Sequence, residues 1–353
     1  MKKSLMALAL FGAFAGVAHA QTAVQIYGTI DAGFIKRTGS TLNIGKRASN
    51  TLGFKGTEEL GNGLKALFQV EMRYEPDTGL TEATNRPLFQ GQSRVGLQGD
   101  FGMVRIGRGL TPFQEAIGSF EPWHGLPTPA GFFTDLSVAG YTSQPLDPSG
   151  YSNNRWSNAF FYNSPANLMG GLQVNAAVAT KEAGGGSLVG TGTAAAPQYP
   201  VGAEGSATPF SVTAVYNNGP AAALLAYERN LVESKVWSLA GSITPVPDLK
   251  VMASYTRQDR GHTVIANPKT KAWVLGAAYN LGPGKLLAGY GQKHPDNAAR
   301  TKQFSLGYEY SLSKRTYLYV DASRKKGITN TVTNALVNPQ NVTHYDLGIN
   351  HSF

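Results

Sequence analysis

The side chains able to make or break bonds are few in this 353-residue chain, and they do not converge. Beyond His19, histidine occurs at 124, 262, 294, 344 and 351, neither clustered nor at metal-ligand spacing. Glu58 and Glu59 are adjacent, so on a strand they point to opposite faces and make a poor acid–base pair. The string Gly184-Gly185-Gly186-Ser187 lacks the Lys-Ser/Thr and helix pattern of a phosphate loop. Cysteine is absent, which excludes disulfides, zinc thiolates and a thiol nucleophile. No catalytic residue, cofactor or metal site is expected. What remains is fixed charge: Glu115, Glu121, Asp135 and Asp147 lie in residues 109–154, a stretch without Lys or Arg, while the chain as a whole carries +9. Groups of this kind attract and sort ions.

The elements that must position these charges are strands. His344 to Phe353 alternate strictly, with Tyr345, Leu347, Ile349, His351 and Phe353 on one face and His344, Asp346, Gly348, Asn350 and Ser352 on the other. A strand patterned to its last residue is paired there, and an apolar outside with a polar inside fits a closed barrel in lipid. The same period of two returns in the first strand, where Val24, Ile26, Ile30, Ala32 and Phe34 oppose Gln25, Thr29 and Asp31. From Leu64 to Glu75, Ala66, Phe68, Val70, Met72 and Tyr74 alternate with Lys65, Gln69, Glu71, Arg73 and Glu75. Tight turns at residues 61–63, 99–102, 217–220, 245–248, 282–284 and 312–314 alternate with long polar links at 37–47, 76–87, 109–154, 182–209, 257–270, 293–300 and 326–341. Short turns on one side and long loops on the other are the signature of an outer-membrane barrel, with the short side periplasmic. The pattern gives an all-β transmembrane antiparallel β-barrel of about 16 strands. Residues 271–280 fit either facing and 221–228 are nearly all apolar, which leaves that count open by two.

Lys2 and Lys3 precede an apolar run from Leu5 to Val17, and Ala18-His19-Ala20 forms an A-x-A site. Residues 1–20 are therefore expected to be a secretory signal peptide and 21–353 the barrel. Removing Lys2 and Lys3, with no acid lost, takes the charge from +9 to +7. Lys and Arg are scattered, and an exported chain rarely meets nucleic acid, so no nucleic-acid partner is expected.

The chain resembles the trimeric general porins of Gram-negative bacteria, β-proteobacterial branch. The resemblance rests on VQIYGTIDAG at 24–33, GTEELGNGLKALFQVE at 56–71, GDFGMVRIGR at 99–108, YSLSKRTYLY at 310–319 and GINHSF at 348–353, in that order. It implies a 16-stranded barrel that forms a homotrimer in the outer membrane, among lipid and lipopolysaccharide, with its third long loop folded into the lumen. That loop is residues 109–154, and its Phe113, Phe120, Trp123, Phe132, Phe133 and Tyr141 suit packing against a wall. Lys55, Arg73, Arg105 and Arg155, with Arg94 and Arg108, would then form a basic constriction wall facing Glu115, Glu121 and Asp135 of the loop, setting a transverse field. For any single arginine, mere solvation of the lumen or contact with lipopolysaccharide phosphate stays an equal alternative. Family members often carry arginine where this chain has Thr51 and Gly91, so the expected anion preference is modest. Phe353 is expected to serve the outer-membrane assembly machinery as a signal. The function implied is passive diffusion of small hydrophilic solutes and ions. The alternatives are a channel biased toward small anionic metabolites, or an adhesin or structural barrel acting through its outer loops.

Overall fold

The computed structural model describes residues 23–82, 86–146, 154–181, 188–189, 199–200, 205–260, 269–296, 299–327 and 341–353. The leader, Asp147 and most of the Gly/Ala/Ser-rich link at 184–207 lie outside the described residues.

Sixteen long strands form one antiparallel barrel. They are Ala23–Arg37, Asn50–Gly61, Leu64–Tyr74, Gln92–Gly99, Gly102–Leu110, Arg155–Asn163, Leu172–Ala179, Phe210–Asn218, Ala221–Arg229, Lys235–Val246, Leu249–Asp259, Lys269–Leu281, Gly284–Pro295, Thr301–Ser311, Thr316–Lys326 and Val342–Ser352. A three-residue strand, Asn43–Gly45, pairs beside the first. The barrel closes because the first strand pairs with the last, Thr29 opposite Ser352 through Arg37 opposite His344. The seam ends on a reciprocal pair: Gly28 N–H donates to the Phe353 carbonyl at 3.2 Å and Phe353 N–H to the Gly28 carbonyl at 3.1 Å. A Cβ on Gly28 would sit 2.6 Å from the Phe353 ring, so glycine is what lets that ring lie on the seam. Closure leaves the barrel, among the described residues, without a free edge strand, which a backbone in hydrocarbon requires.

The alternation predicted for the terminal strand is present, with Tyr345, Leu347 and Ile349 exposed outside and His344, Asp346 and Asn350 buried inside. The two ambiguous strands are apolar on both faces for one reason, the loop that follows Leu110. Leu224 and Ala226 of Ala221–Arg229, and Val274 and Ala278 of Lys269–Leu281, point inward and are covered by that loop, while Leu225 and Leu275 face outward.

Within the barrel near the seam, Arg47 is fully buried; its Nε donates to Asp321 at 2.7 Å and its Nη1 to Glu309 at 2.7 Å, over the Tyr319 ring at 4.9 Å. Burial alone would lower the pKa of this guanidinium, but the Asp321 and Glu309 carboxylates hold it above its ordinary value. Asp31, also fully buried, accepts from Arg47 N–H, Tyr319 Oη and Asn350 Nδ2. The first link is thereby tied across the seam to the last two strands.

Candidate functional site

The loop after Leu110 begins with a helix, Pro112–Ile117, because Thr111 caps it by accepting from Gln114 N–H and Pro112 supplies a preset φ at its start. A 3₁₀ turn, Gly118–Phe120, and a helical turn, Phe133–Ser137, follow. Phe113, Ile117, Phe120, Phe133, Val138 and Tyr141 pack on Leu224, Ala226, Val236 and Ala240 of the inner wall. Trp123, Ala130, Phe132 and Leu136 pack on Met252, Val274, Ala278 and Leu287 further round. Buried side chains of this size contribute about 1.5–3 kcal/mol each, enough to hold the segment inside the barrel. Gly276 and Gly289 leave the room that Pro122 and Phe132 fill.

Polar staples complete the attachment. Gln303 Nε2 reaches the carbonyls of Pro129, Ala130 and Gly131 at 3.1, 3.2 and 2.9 Å, and Thr256 Oγ1 donates to the Ser137 carbonyl at 2.7 Å. Trp156 Nε1 holds the Ser143 carbonyl at 2.9 Å. The loop therefore lies across the lumen against the strands from Phe210–Asn218 round to Val342–Ser352, leaving the open passage beside the basic strands.

Lys55, Arg73, Arg94 and Arg105 share the inward face, since register pairs Gln25 with Lys55, Lys55 with Gln69 and Gln69 with Arg94. Arg94 is held by Gln69, whose Oε1 accepts from Nε at 3.0 Å and Nη2 at 2.9 Å. The Lys55 ammonium lies over the Tyr27 ring at 5.0 Å and makes no ion pair among the described residues. Arg105 lies beside the Phe161 ring and donates to Asn163, which continues to Asn175 at 2.6 Å and on to Thr213 at 3.3 Å. Arg105 borders two open spaces in the lumen. One, of about 470 Å³, is also lined by Glu115, Asn163, Asn175 and Lys250; the other, of about 430 Å³, by Lys55, Gln69 and Gln98. Arg73 stands nearer the long-loop end, its Nη1 donating to Ser49 at 3.2 Å, with Glu71 at 3.8 Å and Glu82 at 3.9 Å.

Two arginines depart from the expected wall. A bulge between Gly107 and Gly109, with Asn158 at φ 51, sets two residues against one and resets the alternation. Trp156 takes the inward position opposite Gly109, while Arg155 pairs with Leu110 and is sealed at 1% exposure, its Nε donating to the Gly91 carbonyl at 2.6 Å. Register places Arg108 opposite Ser93, on the face of Val95 and Ile106, which is the exposed apolar side. Arg108 donates to the Gln90 carbonyl at 3.0 Å and to Ser157 Oγ at 2.8 Å.

The loop acids divide as well. Glu115 is exposed to the lumen and is the carboxylate electrostatically coupled to both Arg94 and Arg105. Asp135 faces the other wall, between Lys293 and Lys325, the latter at 2.6 Å. Burial would raise its carboxyl pKa, but those two ammonium groups pull it below the ordinary carboxylate range. Glu121 does not reach the lumen at all: it is fully buried and accepts from the N–H groups of Trp123 at 3.1 Å, Gly125 at 2.6 Å and Phe132 at 3.4 Å. Among the described loop acids, Glu115 is thus the one that faces the arginines across the gap. Asn163, Asn175 and Lys250 also join the lining; the sequence reading passed over them, although they share the inward parity of Phe161, Ala177 and Met252 on their strands.

Burial pushes Glu121 up to about 7, against the lowering by its three backbone N–H donors. A carboxyl raised in the folded state keeps a proton that the unpacked loop would release above its ordinary value. The stabilisation is therefore full on the acid side and is lost as pH rises through about 7. Closures and current noise from loop excursions are expected to increase as pH rises from about 4.5 to about 7 and to level off above it, and Glu121→Gln to remove that dependence. Identical wild-type noise spectra across that interval would contradict the assignment.

A family profile described as Gram-negative porin matches residues 5–329. The chain belongs to the Gram-negative porins. Outer membrane porin protein 32 of Delftia acidovorans is 32% identical over 348 residues, covering 90% of this chain and 88% of that protein. An outer membrane porin protein of Bordetella pertussis is 26% identical across 100% of both. The solved structure of an anion-selective porin from Comamonas acidovorans superposes with a TM-score of 0.74 at 21% identity, covering 94% of this chain and 100% of that one. This porin accordingly sits in the outer membrane, with the folded-in loop narrowing a barrel of the shared fold.

Proposed function

We propose that this porin is an open, water-filled diffusion channel with a modest preference for small anions, set by Lys55 and Arg105 at the passage beside the loop. The observation that carries the reading is the make-up of the two lumenal spaces around Arg105: Lys55, Arg105 and Lys250 stand against the single acid Glu115. A surplus of about two charges, acting on an ion roughly 8 Å away in water-like dielectric, contributes on the order of 1 kcal/mol, or about fivefold in permeability. The similar fold titled an anion-selective porin agrees with that sign. At Gly91 a Cβ would lie 2.4 Å from the Glu71 carboxylate oxygen, and the glycine adds no charge to the basic ladder.

The homotrimer is part of the same proposal. Its support is the broad exposed apolar face formed by Val24, Ile26, Ile30, Phe54, Phe68 and Val95, together with a similar fold solved in a form titled trimer. Residues 1–20 act as the export signal and Phe353 as the mark read at assembly.

Planar-bilayer recording of the purified protein tests the channel itself. Steady, ohmic, salt-dependent current steps are expected. An adhesin or structural barrel with a plugged lumen would give none, and saturation of the current by one small carboxylate would favour the metabolite-biased channel instead.

A further inference from the structure

The folded-in loop carries a histidine that the passage around Arg105 does not use. Glu121 to Gly125 form a tight turn whose inside is filled by the Glu121 carboxylate, which accepts from the N–H groups of Trp123 and Gly125. The turn is closed by His124 N–H donating to the Glu121 carbonyl at 3.0 Å. His124 itself stands at φ 51 on the outside of the turn, exposed within the barrel.

The wall beside it is cationic. Pro122 fills the space over Gly276 and Trp123 lies beside Gly307, which seats the turn over the strands Lys269–Leu281 and Thr301–Ser311, with Gly284–Pro295 between them. Two residues further toward the short turns, the inward parity that carries Met252, Leu287 and Gly307 brings in Lys250, Lys285 and Glu309. Lys285 lies opposite Glu309 at 3.8 Å, but that carboxylate is already held by Arg47 at 2.7 Å. Lys250 makes no ion pair among the described residues, and it also lines the space of about 470 Å³ that Arg105 and Glu115 border. His124 thus faces Lys250, Lys285 and Arg47 against the single acid Glu309, beside the ion path. The acid of its own turn, Glu121, is sealed on the inner side.

We propose that His124 is a titratable member of the ion filter, acting with Lys250 and Lys285: neutral at about pH 7.5 and charged on the acid side, it raises the preference for anions as the medium acidifies. The proposal rests on the channel reading and adds a residue to it. Desolvation inside the barrel and the ammonium groups of Lys285 and Lys250 hold the ring below its ordinary value, with Glu309 opposing them and Arg47 adding to the lowering. The charge therefore appears only as pH falls below the ordinary imidazole range of about 6.5. The other described histidines stand elsewhere: His344 is sealed against Asp346, while His294 and His351 point outward beside the inward Lys293 and Asn350.

The test is the reversal potential of the full mature protein under a potassium chloride gradient, stepped from about pH 7.5 to about pH 5, where exposed carboxylates stay mostly ionised. Wild type is expected to gain about twofold in the chloride-to-potassium permeability ratio, the effect of one charge roughly 8 Å from the ion in water-like dielectric. His124→Asn, whose side chain tolerates φ 51, is expected to lose the step. Lys285→Gln is expected to move its midpoint to higher pH, because one repelling charge is gone, and raising salt from 0.1 to 1 M to do the same by screening. Glu121→Gln is expected to keep the step. A step that persists in His124→Asn, or that Glu121→Gln abolishes, would overturn the proposal. Should His124→Asn not assemble, an unmoved midpoint in Lys285→Gln would overturn it as well. A constant wild-type ratio with anion preference intact would overturn this inference and leave the channel reading standing, whereas no steady current in wild type would overturn both.

Discussion

Replacing Lys55 and Arg105 together by alanine is expected to bring the chloride-to-potassium permeability ratio from about fivefold down to near unity. The argument is local. Lys55, over Tyr27, and Arg105, 7% exposed beside Phe161, border the two lumenal spaces, and their removal leaves Lys250 opposing Glu115. Arg105→Glu is expected to carry the reversal potential past zero to cation preference. Arg155→Ala provides the contrast, because its side chain is sealed at 1% exposure on the Gly91 carbonyl. Its loss should leave the sign of selectivity intact and destabilise the strand ends instead, since it strands a buried carbonyl without its donor. A double variant with wild-type selectivity would move the filter elsewhere in the lumen.

Deleting Phe353 is expected to cut inserted protein by about tenfold or more while leaving export unchanged. The seam ends on the two Gly28–Phe353 backbone bonds, and the Phe353 ring covers the bare Cα of Gly28. Without that residue the last rung is lost and two backbone groups at the membrane boundary lose their partners, which costs several kcal/mol where water is scarce. Cell fractionation with protease accessibility reads the result. Normal amounts of protected barrel in the deletion strain would show that the terminal rung is dispensable.

The strands were legible because period two survives wherever lipid lies on one side and water on the other, as in Val342–Ser352. Legibility failed where a third partner intervened. Ala221–Arg229 and Lys269–Leu281 read as ambiguous because the loop covers their inner faces, which turns both sides apolar. Arg155 read as an open wall position, whereas one bulge, invisible as a spacing, shifts the two pairs beyond it and the side chain is sealed at 1% exposure. Among the loop acids, types and count were legible but direction was not. A two-residue period has no meaning in a segment of short helical turns, so Glu115, Glu121 and Asp135 go to the lumen, the loop's own backbone and the opposite wall respectively. Arg47 carried no sequence signal, because its partners Asp321 and Glu309 stand more than two hundred residues away.

The central claim, an open channel whose passage carries net positive charge, is tested most directly by the wild-type reversal potential across a salt gradient. The expected sign is that of anion preference. Its magnitude should be larger at 0.1 M than at 1 M, as the Debye length shrinks from about 10 Å to about 3 Å. A reversal potential of the cation sign at both concentrations would mean that Glu115 and its neighbours outweigh Lys55 and Arg105, and would contradict the account.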